Sequence, residues 1–232
     1  MRVILKLDFR KNIIYKTLVE AGWERTALPI SYPLVVHGVA GSGKSRVIRP
    51  LKTVHNIPTY TLCVTDNPRV DCSNITALPT NPVPGFILDE YHIDKERCTG
   101  ALLVLGDPLQ SHEECFPPHF VSFSSFRIGR SLASLFPPLV SVSPVEDSVE
   151  VANCWTVDPV GTILCFEPEV ADLLLSHNLE FTHPDHCRGA QFNTVTLYTS
   201  SEPLDPVWLY LSVTRHTTKL LWLCPDAIAA PR

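Results

Sequence analysis

Short apolar runs alternate with polar segments along the first half of the chain. Each run is a few residues long, is rich in aliphatic or β-branched side chains, and is bounded by Gly, Pro, Asp or Asn. Such uninterrupted runs are typical of strands buried on both faces of a parallel sheet. The pattern therefore predicts a doubly wound α/β domain whose strands are PLVVH, TYTLCVT, FILD and ALLVLG.

A Pro- and Ser-rich stretch from CFPPHFVSFSS to LFPPLVSVSP interrupts this pattern and indicates a domain boundary. Beyond it, four more runs predict strands: EVANCW, TILCFE, NTVTLYT and KLLWLCP. The segments EPEVADLLLSHN and DPVWLYLSVTRH predict helices, because each has an acidic residue and proline at its start. We expect two domains, covering residues 1–120 and 121–232.

Three glycines, a lysine and a serine lie between the apolar run PLVV and the segment RVIRPL, which can begin a helix until Pro50 interferes. This stretch fits the pattern G-x-x-x-x-G-K-[ST] in full. Glycines allow backbone N–H groups to turn toward phosphate oxygens, and a helix N-terminus adds partial positive charge. Lys44 is then placed to reach the β- and γ-phosphates, and the Ser45 hydroxyl to hold Mg²⁺. We predict that ATP or another NTP is bound by the loop residues Gly38, Val39, Ala40, Gly41, Ser42, Gly43, Lys44 and Ser45.

Polar residues follow two later strand patterns of the same domain. The run FILD ends in Asp89, which we expect to hold Mg²⁺ through its water shell, and Glu90 is placed to orient and deprotonate the attacking water. The run ALLVLGDPLQ carries Gln110, a candidate sensor of the γ-phosphate or of that water. The loop and these two strand ends are expected to meet in one crevice, as ligand sites do in open parallel sheets.

Composition narrows the class of protein. With 45% apolar and 19% charged residues among 232, the chain is globular, and no apolar run approaches the ~20 residues that a membrane-spanning helix needs. The net charge of −5 disfavours a generic nucleic-acid binder, but residues 1–52 carry ten Lys/Arg against three Asp/Glu. That segment is a candidate polyanion-binding surface, and an ordinary solvated surface explains the charge equally well. Eight cysteines without a C-x-x-C pair predict reduced thiols in a reducing compartment.

The order of these motifs resembles that of viral superfamily 1 RNA helicases, over nearly the whole chain. GVAGSGKS is similar to motif I of that family, LDEYH to motif II and LGDPLQ to motif III. SFRIGRSL resembles the arginine-bearing motif IV, CRGAQFNTVTLY resembles motif V, and SVTRH resembles motif VI. Thr65 in CVTDNP is the candidate for motif Ia. The resemblance implies two RecA-like parallel-sheet domains, of the α/β class, with an NTP cleft between them.

The resemblance also assigns roles to residues of the later motifs. Arg127 of motif IV becomes a phosphate contact, and Arg215 of motif VI stabilises charge on the transferring phosphoryl group. With Thr65, the motif V residues Gly189, Gln191 and Thr196 become contacts of an RNA backbone. The implied catalytic set is Lys44, Glu90, Gln110, Arg127 and Arg215.

Within the helicases, the compact size resembles the triple gene block family of movement proteins from potexviruses and related plant viruses. This implies an NTP-hydrolysing protein of the host cytoplasm that binds single-stranded RNA and helps viral RNA to pass through plasmodesmata. It also implies suppression of RNA silencing through host factors, self-association, and cooperation with coat protein and the two small membrane proteins of the same gene block.

Two other classes of function remain open from the residues themselves. One is a non-enzymatic scaffold whose loop senses nucleotide while the protein binds coat protein or host silencing factors. The other is a small-molecule kinase of the P-loop type, which is disfavoured by the Asp89–Glu90 pair, by the two arginines, and by the lack of a recognisable acceptor-substrate lid. RNA-stimulated release of phosphate separates the motor-like NTPase from the scaffold.

Overall fold

The structure is a computed structural model that describes residues 2–67, 73–143, 148–200 and 204–226, with side chains from residue 7 onward. The chain forms two compact units, Met1–Ser124 and Ser125–Arg232. Each contains a sheet of mainly or wholly parallel strands, which confirms the predicted α/β class. The division lies close to the boundary expected from the Pro- and Ser-rich stretch. Motifs I to III fall in the first unit, and the arginines of motifs IV and VI fall in the second.

The first unit has two helices and a sheet of seven strands. The elements are α1 (Arg2–Glu20), β1 (Glu24–Arg25), β2 (Leu34–Gly38), α2 (Lys44–Thr53), β3 (Thr59–Thr61), β4 (Thr76–Ala77), β5 (Phe86–Asp89), β6 (Ala101–Gly106) and β7 (Phe120–Ser122). The strand order is β1-β7-β2-β6-β5-β3-β4, and every pair is parallel except β1 with β7. Short 3₁₀ turns lie at Tyr91–Ile93, Lys95–Cys98 and Pro108–Gln110.

The central strands of this sheet coincide with the apolar runs of the sequence. β5 and β6 have the predicted bounds, and every residue in both strands is buried. β3 is shorter than the run TYTLCVT, since only Thr59–Thr61 pair with β5. Burial of aliphatic side chains on both faces supplies the main stabilisation of the unit.

Helix α1 is not predicted by the sequence pattern, because its basic and apolar residues are mixed and no capping residue precedes it. Its inner face places Ile14 and Leu18, both fully buried, in the core of the first unit. Arg10 donates to the carbonyl oxygens of Gly85 (3.3 Å) and Asn56 (3.0 Å). Lys11 pairs with Asp8 at 3.9 Å. Arg10 therefore ties α1 to two loops of the unit, whereas the Lys11–Asp8 pair lies within the helix.

Pro50 does not end helix α2, contrary to the sequence expectation. The helix runs through it to Thr53, and the amide of Val54 still donates to the carbonyl of Pro50 at 2.9 Å. Proline removes one backbone hydrogen bond. Ile48 and Leu51, both fully buried against the sheet, offset this loss, and the proline ring itself is exposed.

The second unit contains a four-stranded sheet and three helices. The elements are β8 (Ser124–Ser125), α3 (Arg130–Ala133), β9 (Val140–Ser141), β10 (Ser148–Asn153), β11 (Thr162–Leu164), α4 (Pro168–Ser176), β12 (Phe192–Tyr198), α5 (Pro206–Val213) and β13 (His216–Cys224). The sheet order is β10-β13-β12-β11, all parallel, and β8 pairs with β9 separately. Both predicted helices are present. The Asp205 carboxylate caps α5 by accepting from the amides of Val207 and Trp208, each at 2.9 Å.

Among the described residues, no helix is long and apolar enough to cross a membrane. The seven cysteines in the described ranges are free thiols, and Cys72 lies outside those ranges.

Candidate nucleotide site

The glycine-rich loop connects β2 to α2, as its pattern predicts. Gly41 and Gly43 have positive φ angles of 78° and 89°, a conformation that favours glycine. Gly38 is required for a different reason: a Cβ there would lie 2.6 Å from the Trp23 ring and closer still to the Ser42 hydroxyl. The loop thus turns tightly over a buried indole.

Two polar side chains of the loop, those of Lys44 and Ser42, are buried. The Lys44 ammonium donates to the carbonyl oxygens of Gly38 (2.8 Å) and Val39 (3.5 Å), and Lys44 is 8% exposed. Ser42 Oγ is buried, and no hydrogen-bond partner for it occurs among the residues that the structure describes. A buried hydroxyl without a partner costs free energy that a bound phosphate would recover. The loop therefore fits a phosphate group.

The carboxylates of motif II lie at the carboxyl end of β5. Asp89 is 6% exposed, and its Oδ1 accepts from the amide of Glu90 at 3.1 Å. Burial, and then the neighbouring Glu90, raise the pKa of Asp89, while the nearby Lys44 ammonium opposes the rise. Crowded carboxylates of this kind are stabilised by a divalent cation. Asp89 could therefore hold Mg²⁺, with the Ser45 hydroxyl of the loop as the second candidate ligand.

Glu90 has a left-handed backbone conformation, with φ of 58°. Such a conformation costs a non-glycine residue about 1 kcal/mol or more and is common at functional sites. Its carboxylate Oε2 lies 3.6 Å from His92 Nδ1. The backbone turn at Glu90 thus ends β5 and begins the 3₁₀ turn at Tyr91–Ile93.

Gln110 lies in the 3₁₀ turn after β6 and is oriented by Asp107. The Gln110 side-chain amide donates to Asp107 Oδ2 at 2.9 Å, and Asp107 Oδ1 accepts from the amide of Leu109 at 3.2 Å. Both Gln110 and Asp107 are buried. In the sheet, β6 lies between β2 and β5. The carboxyl ends of β2, β6 and β5 therefore lie side by side at one edge of the sheet, as the sequence predicts. They carry the glycine-rich loop, Gln110 and the Asp89–Glu90 pair, respectively.

A network that the sequence does not reveal joins the start of the glycine-rich loop to motif II and to Phe116. His37, the residue before the loop, has its Nε2 2.7 Å from the Tyr91 hydroxyl, and this hydroxyl accepts from the Phe116 amide at 3.1 Å. The Tyr91 ring stacks on Phe116 with centroids 5.4 Å apart. Burial, and to a lesser extent the charges of His92 and Lys44, lower the pKa of His37 to about 4. His37 is therefore neutral at pH 7.

Thr65 lies on the exposed loop that follows β3, at the same edge of the sheet. The next residue, Asp66, anchors this loop to the helix of the phosphate loop. Arg49 of α2 donates to both carboxylate oxygens of Asp66, at 2.5 and 3.0 Å, and to the carbonyl of Ser73 at 3.0 Å. The Ile75 amide also donates to Asp66 Oδ2 at 2.8 Å. Thr65, the candidate motif Ia residue, thus lies next to the Arg49–Asp66 ion pair.

The arginines of motifs IV and VI meet at Thr214 in the second unit. Arg127 Nη2 donates to the Thr214 carbonyl at 3.1 Å, and Arg215 Nη2 donates to the Thr214 hydroxyl at 3.2 Å. Arg215 is 4% exposed and also donates to the carbonyls of Leu211 (3.1 Å) and Ala190 (3.4 Å). It therefore also fastens the motif V loop to α5, a contact that the sequence does not indicate.

The motif V candidates have different positions. Gly189, with φ of 79°, and Gln191 are exposed in the loop before β12, near the amino end of that strand. Thr196 is fully buried within β12, where its hydroxyl donates to the Val160 carbonyl (2.7 Å) and accepts from the Val160 amide (2.9 Å). This placement does not support an RNA contact for Thr196, because its hydrogen bonds pin the loop before β11.

Comparison with known proteins defines the class first. The viral superfamily 1 RNA helicase core domain family matches residues 34–224. Among solved structures, the arterivirus nonstructural protein 10 helicase is similar, with a TM-score of 0.51, 19% identity and 94% of this chain covered. Its complex with DNA has a TM-score of 0.52. The chain spans 57% of the length of these helicases, so this likeness concerns the fold alone.

Curated relatives then narrow the class. The movement and silencing protein TGBp1 of Strawberry mild yellow edge-associated virus is 37% identical over 95% of this chain and 97% of its own length. That of Apple stem pitting virus is 35% identical over 90% of this chain and 97% of its own length. The chain belongs to the viral superfamily 1 RNA helicase family and, within it, to the TGBp1 proteins.

Proposed function

We propose that this protein is an ATP- or NTP-hydrolysing, single-stranded RNA-binding movement protein that also suppresses RNA silencing. The observation that supports it most is the convergence, at one sheet edge, of the loop with Lys44 and Ser45, the Asp89–Glu90 pair and Gln110. A phosphate cradle, a metal-binding carboxylate, a second carboxylate and an oriented amide are the parts that phosphoryl transfer to water requires.

The residues of the first unit divide the chemistry among them. Lys44 exchanges its carbonyl partners for the β- and γ-phosphate oxygens, and the buried Ser42 hydroxyl donates to a phosphate oxygen. Ser45 and Asp89 would hold Mg²⁺, which neutralises phosphate charge when bound. Glu90 orients the attacking water and accepts its proton, and Gln110 positions that water against the γ-phosphate.

The two arginines of the second unit are proposed as contacts of the transferring phosphoryl group. Arg215 and Arg127 already lie around one residue, Thr214, so both can respond to the same ligand. Arginines in this role stabilise transition-state charge by roughly 10³-fold or more in rate. The bond between Arg215 and the Ala190 carbonyl connects this role to the exposed motif V loop.

RNA is proposed to contact Thr65 in the first unit and the segment around Gly189 and Gln191 in the second. These residues are exposed and lie in loops, as backbone-contacting residues of sequence-tolerant RNA binding do. The relatives are named movement and silencing proteins, which supports transport of the viral genome through plasmodesmata from the host cytoplasm. Self-association, coat protein, the other triple gene block proteins and host silencing factors complete the proposed partners.

Phosphate release with and without single-stranded RNA tests the proposal. Wild-type protein with MgATP should release phosphate, faster with RNA, and Lys44→Ala should abolish release while circular dichroism shows an intact fold. Lys16→Ala, which removes an exposed lysine of α1, is the matched control and should leave release without RNA unchanged. Nucleotide binding without any turnover would instead indicate the nucleotide-sensing scaffold.

A further inference from the structure

A cavity of about 320 Å³ lies in the second unit, apart from every predicted site residue. Its walls are the turn after β10 and the end of α4, and Tyr198, the last residue of β12, also lines it. The apolar part of the lining consists chiefly of Trp155, Val157, Leu173, Leu174, Leu179 and Tyr198. Asp158 and His177 add polar groups. A mainly apolar concavity with a few polar groups is the usual form of a ligand site.

Trp155 at this cavity is 64% exposed and yet held by hydrogen bonds of its backbone. Its amide donates to Asn153 Oδ1 at 2.8 Å, and the Thr156 amide donates to the Asn153 carbonyl at 3.1 Å. The Asn153 side chain in turn donates to the Pro225 carbonyl at 2.6 Å. The turn is therefore ordered before any partner arrives. An exposed indole on a preordered turn loses little entropy on binding, which is why tryptophan is frequent at interface hot spots.

The cavity lies at the opposite end of the strands from Gln191 and Arg215, the candidate residues of motifs V and VI. All four strands of the sheet are parallel. Trp155 follows the carboxyl end of β10, whereas Gln191 and Arg215 directly precede the amino ends of β12 and β13. A ligand in the cavity would thus leave the exposed Gln191 of motif V uncovered.

Most of the residues that line the cavity belong to a sequence segment without lysine or arginine. Residues 131–187 contain no lysine or arginine, and nine acidic residues: Glu146, Asp147, Glu150, Asp158, Glu167, Glu169, Asp172, Glu180 and Asp185. Some of these are engaged elsewhere, as Glu150 is with Lys219 at 2.9 Å. Asp158 lines the cavity, and the exposed Asp172 and Glu180 adjoin its lining residues in sequence. Within the described part of the chain, no ion pair involves these three carboxylates.

We propose that this cavity is a docking site for a basic peptide segment of a partner protein, anchored by one large apolar side chain. The anchor enters the cavity and packs on Trp155 and Leu173, and flanking lysine or arginine side chains face Asp158, Asp172 and Glu180. Trp155 also offers its face to a cation. The same carboxylates repel RNA phosphates, so the surface distinguishes a basic protein segment from nucleic acid.

Selection from a random octapeptide phage library on the immobilised full-length protein tests this proposal. Enriched peptides should carry net positive charge and a large apolar residue, and their binding should weaken as salt rises. Trp155→Ala should reduce their affinity about tenfold or more, and Asp158→Asn severalfold. Leu175→Ala is the matched control, because this leucine of α4 is 61% exposed and does not line the cavity.

Three outcomes would overturn the proposal. One is that no sequence is enriched on wild type over Trp155→Ala. A second is that the enriched peptides are neutral or acidic, or bind both variants as well as they bind wild type. The third is concentration-dependent self-association in sedimentation that Trp155→Ala abolishes, since this would assign the surface to a second copy of the chain. Circular dichroism of each variant excludes misfolding as the cause.

Discussion

Acidification should destabilise the first unit through His37, and the size of the effect follows from its surroundings. The His37 ring lies against the Tyr91 hydroxyl, beside His92 and Lys44, and burial together with these neighbours lowers its pKa from 6.5 to about 4. The folded state therefore holds a proton on His37 less tightly than the unfolded chain does. This contribution to stability is complete above pH 6.5 and is lost as the pH falls toward 4.

The two pKa values set the magnitude of the loss. At pH 5 the imidazole is largely protonated in the unfolded chain and largely neutral in the folded one. Linkage through His37 alone then removes at most about 2 kcal/mol of unfolding free energy relative to pH 7, because the ring is partly exposed, and the raised pKa of the Asp89 carboxyl acts in the opposite direction. The loss is a large fraction of the stability of a small domain, which is roughly 5–15 kcal/mol.

Urea unfolding of wild type and His37→Gln at pH 7 and pH 5 measures this loss. Glutamine keeps a polar group near Tyr91 but does not titrate, so the variant should lose about 2 kcal/mol less than wild type between the two pH values. His55→Gln removes an exposed imidazole at the end of the α2 segment and should follow wild type. If His37→Gln and wild type lose equal stability, the neutral buried histidine is not the source of the acid sensitivity.

Three further predictions concern the nucleotide site and its supports. Glu90→Gln should keep its affinity for MgATP while turnover falls about 10²- to 10⁴-fold. Asp89→Asn should instead raise the Mg²⁺ concentration that nucleotide binding needs. Identical behaviour of the two variants in calorimetry and in phosphate release would contradict their separate roles. In a double-mutant cycle of urea unfolding, Arg49→Met and Asp66→Leu should show a coupling free energy of about 1 kcal/mol, because their ion pair is bidentate and partly buried. Additive effects of the two substitutions would show that the ion pair does not stabilise the fold. Gly38→Ala should lower the free energy of unfolding by about 1–3 kcal/mol, because the added Cβ overlaps the Trp23 ring. A thermal midpoint equal to that of wild type would show that the Trp23 ring moves aside with no loss of stability.

Local sequence determined several elements and the chemistry of the loop. β5 and β6 match their apolar runs residue for residue, since strands buried on both faces need continuous apolar side chains. The phosphate loop follows from its own glycines and lysine, because a tight turn before a helix is a local arrangement. The acidic and proline residues at the starts of α4 and α5 marked those helices for the same reason.

Contacts between distant residues were decided only by the tertiary structure. His37 and Tyr91 are 54 positions apart in sequence, and Arg127 and Thr214 are 87 apart, so no spacing rule could join them. α1 forms because the core accepts Ile14 and Leu18, although its own sequence carries no start signal. Thr196 looks like any polar strand residue, but pairing of β12 with both neighbours buries it. Turns and helix starts depend on the residue types of a short segment. The burial of a side chain and its hydrogen-bond partners depend on which strands the chain brings side by side.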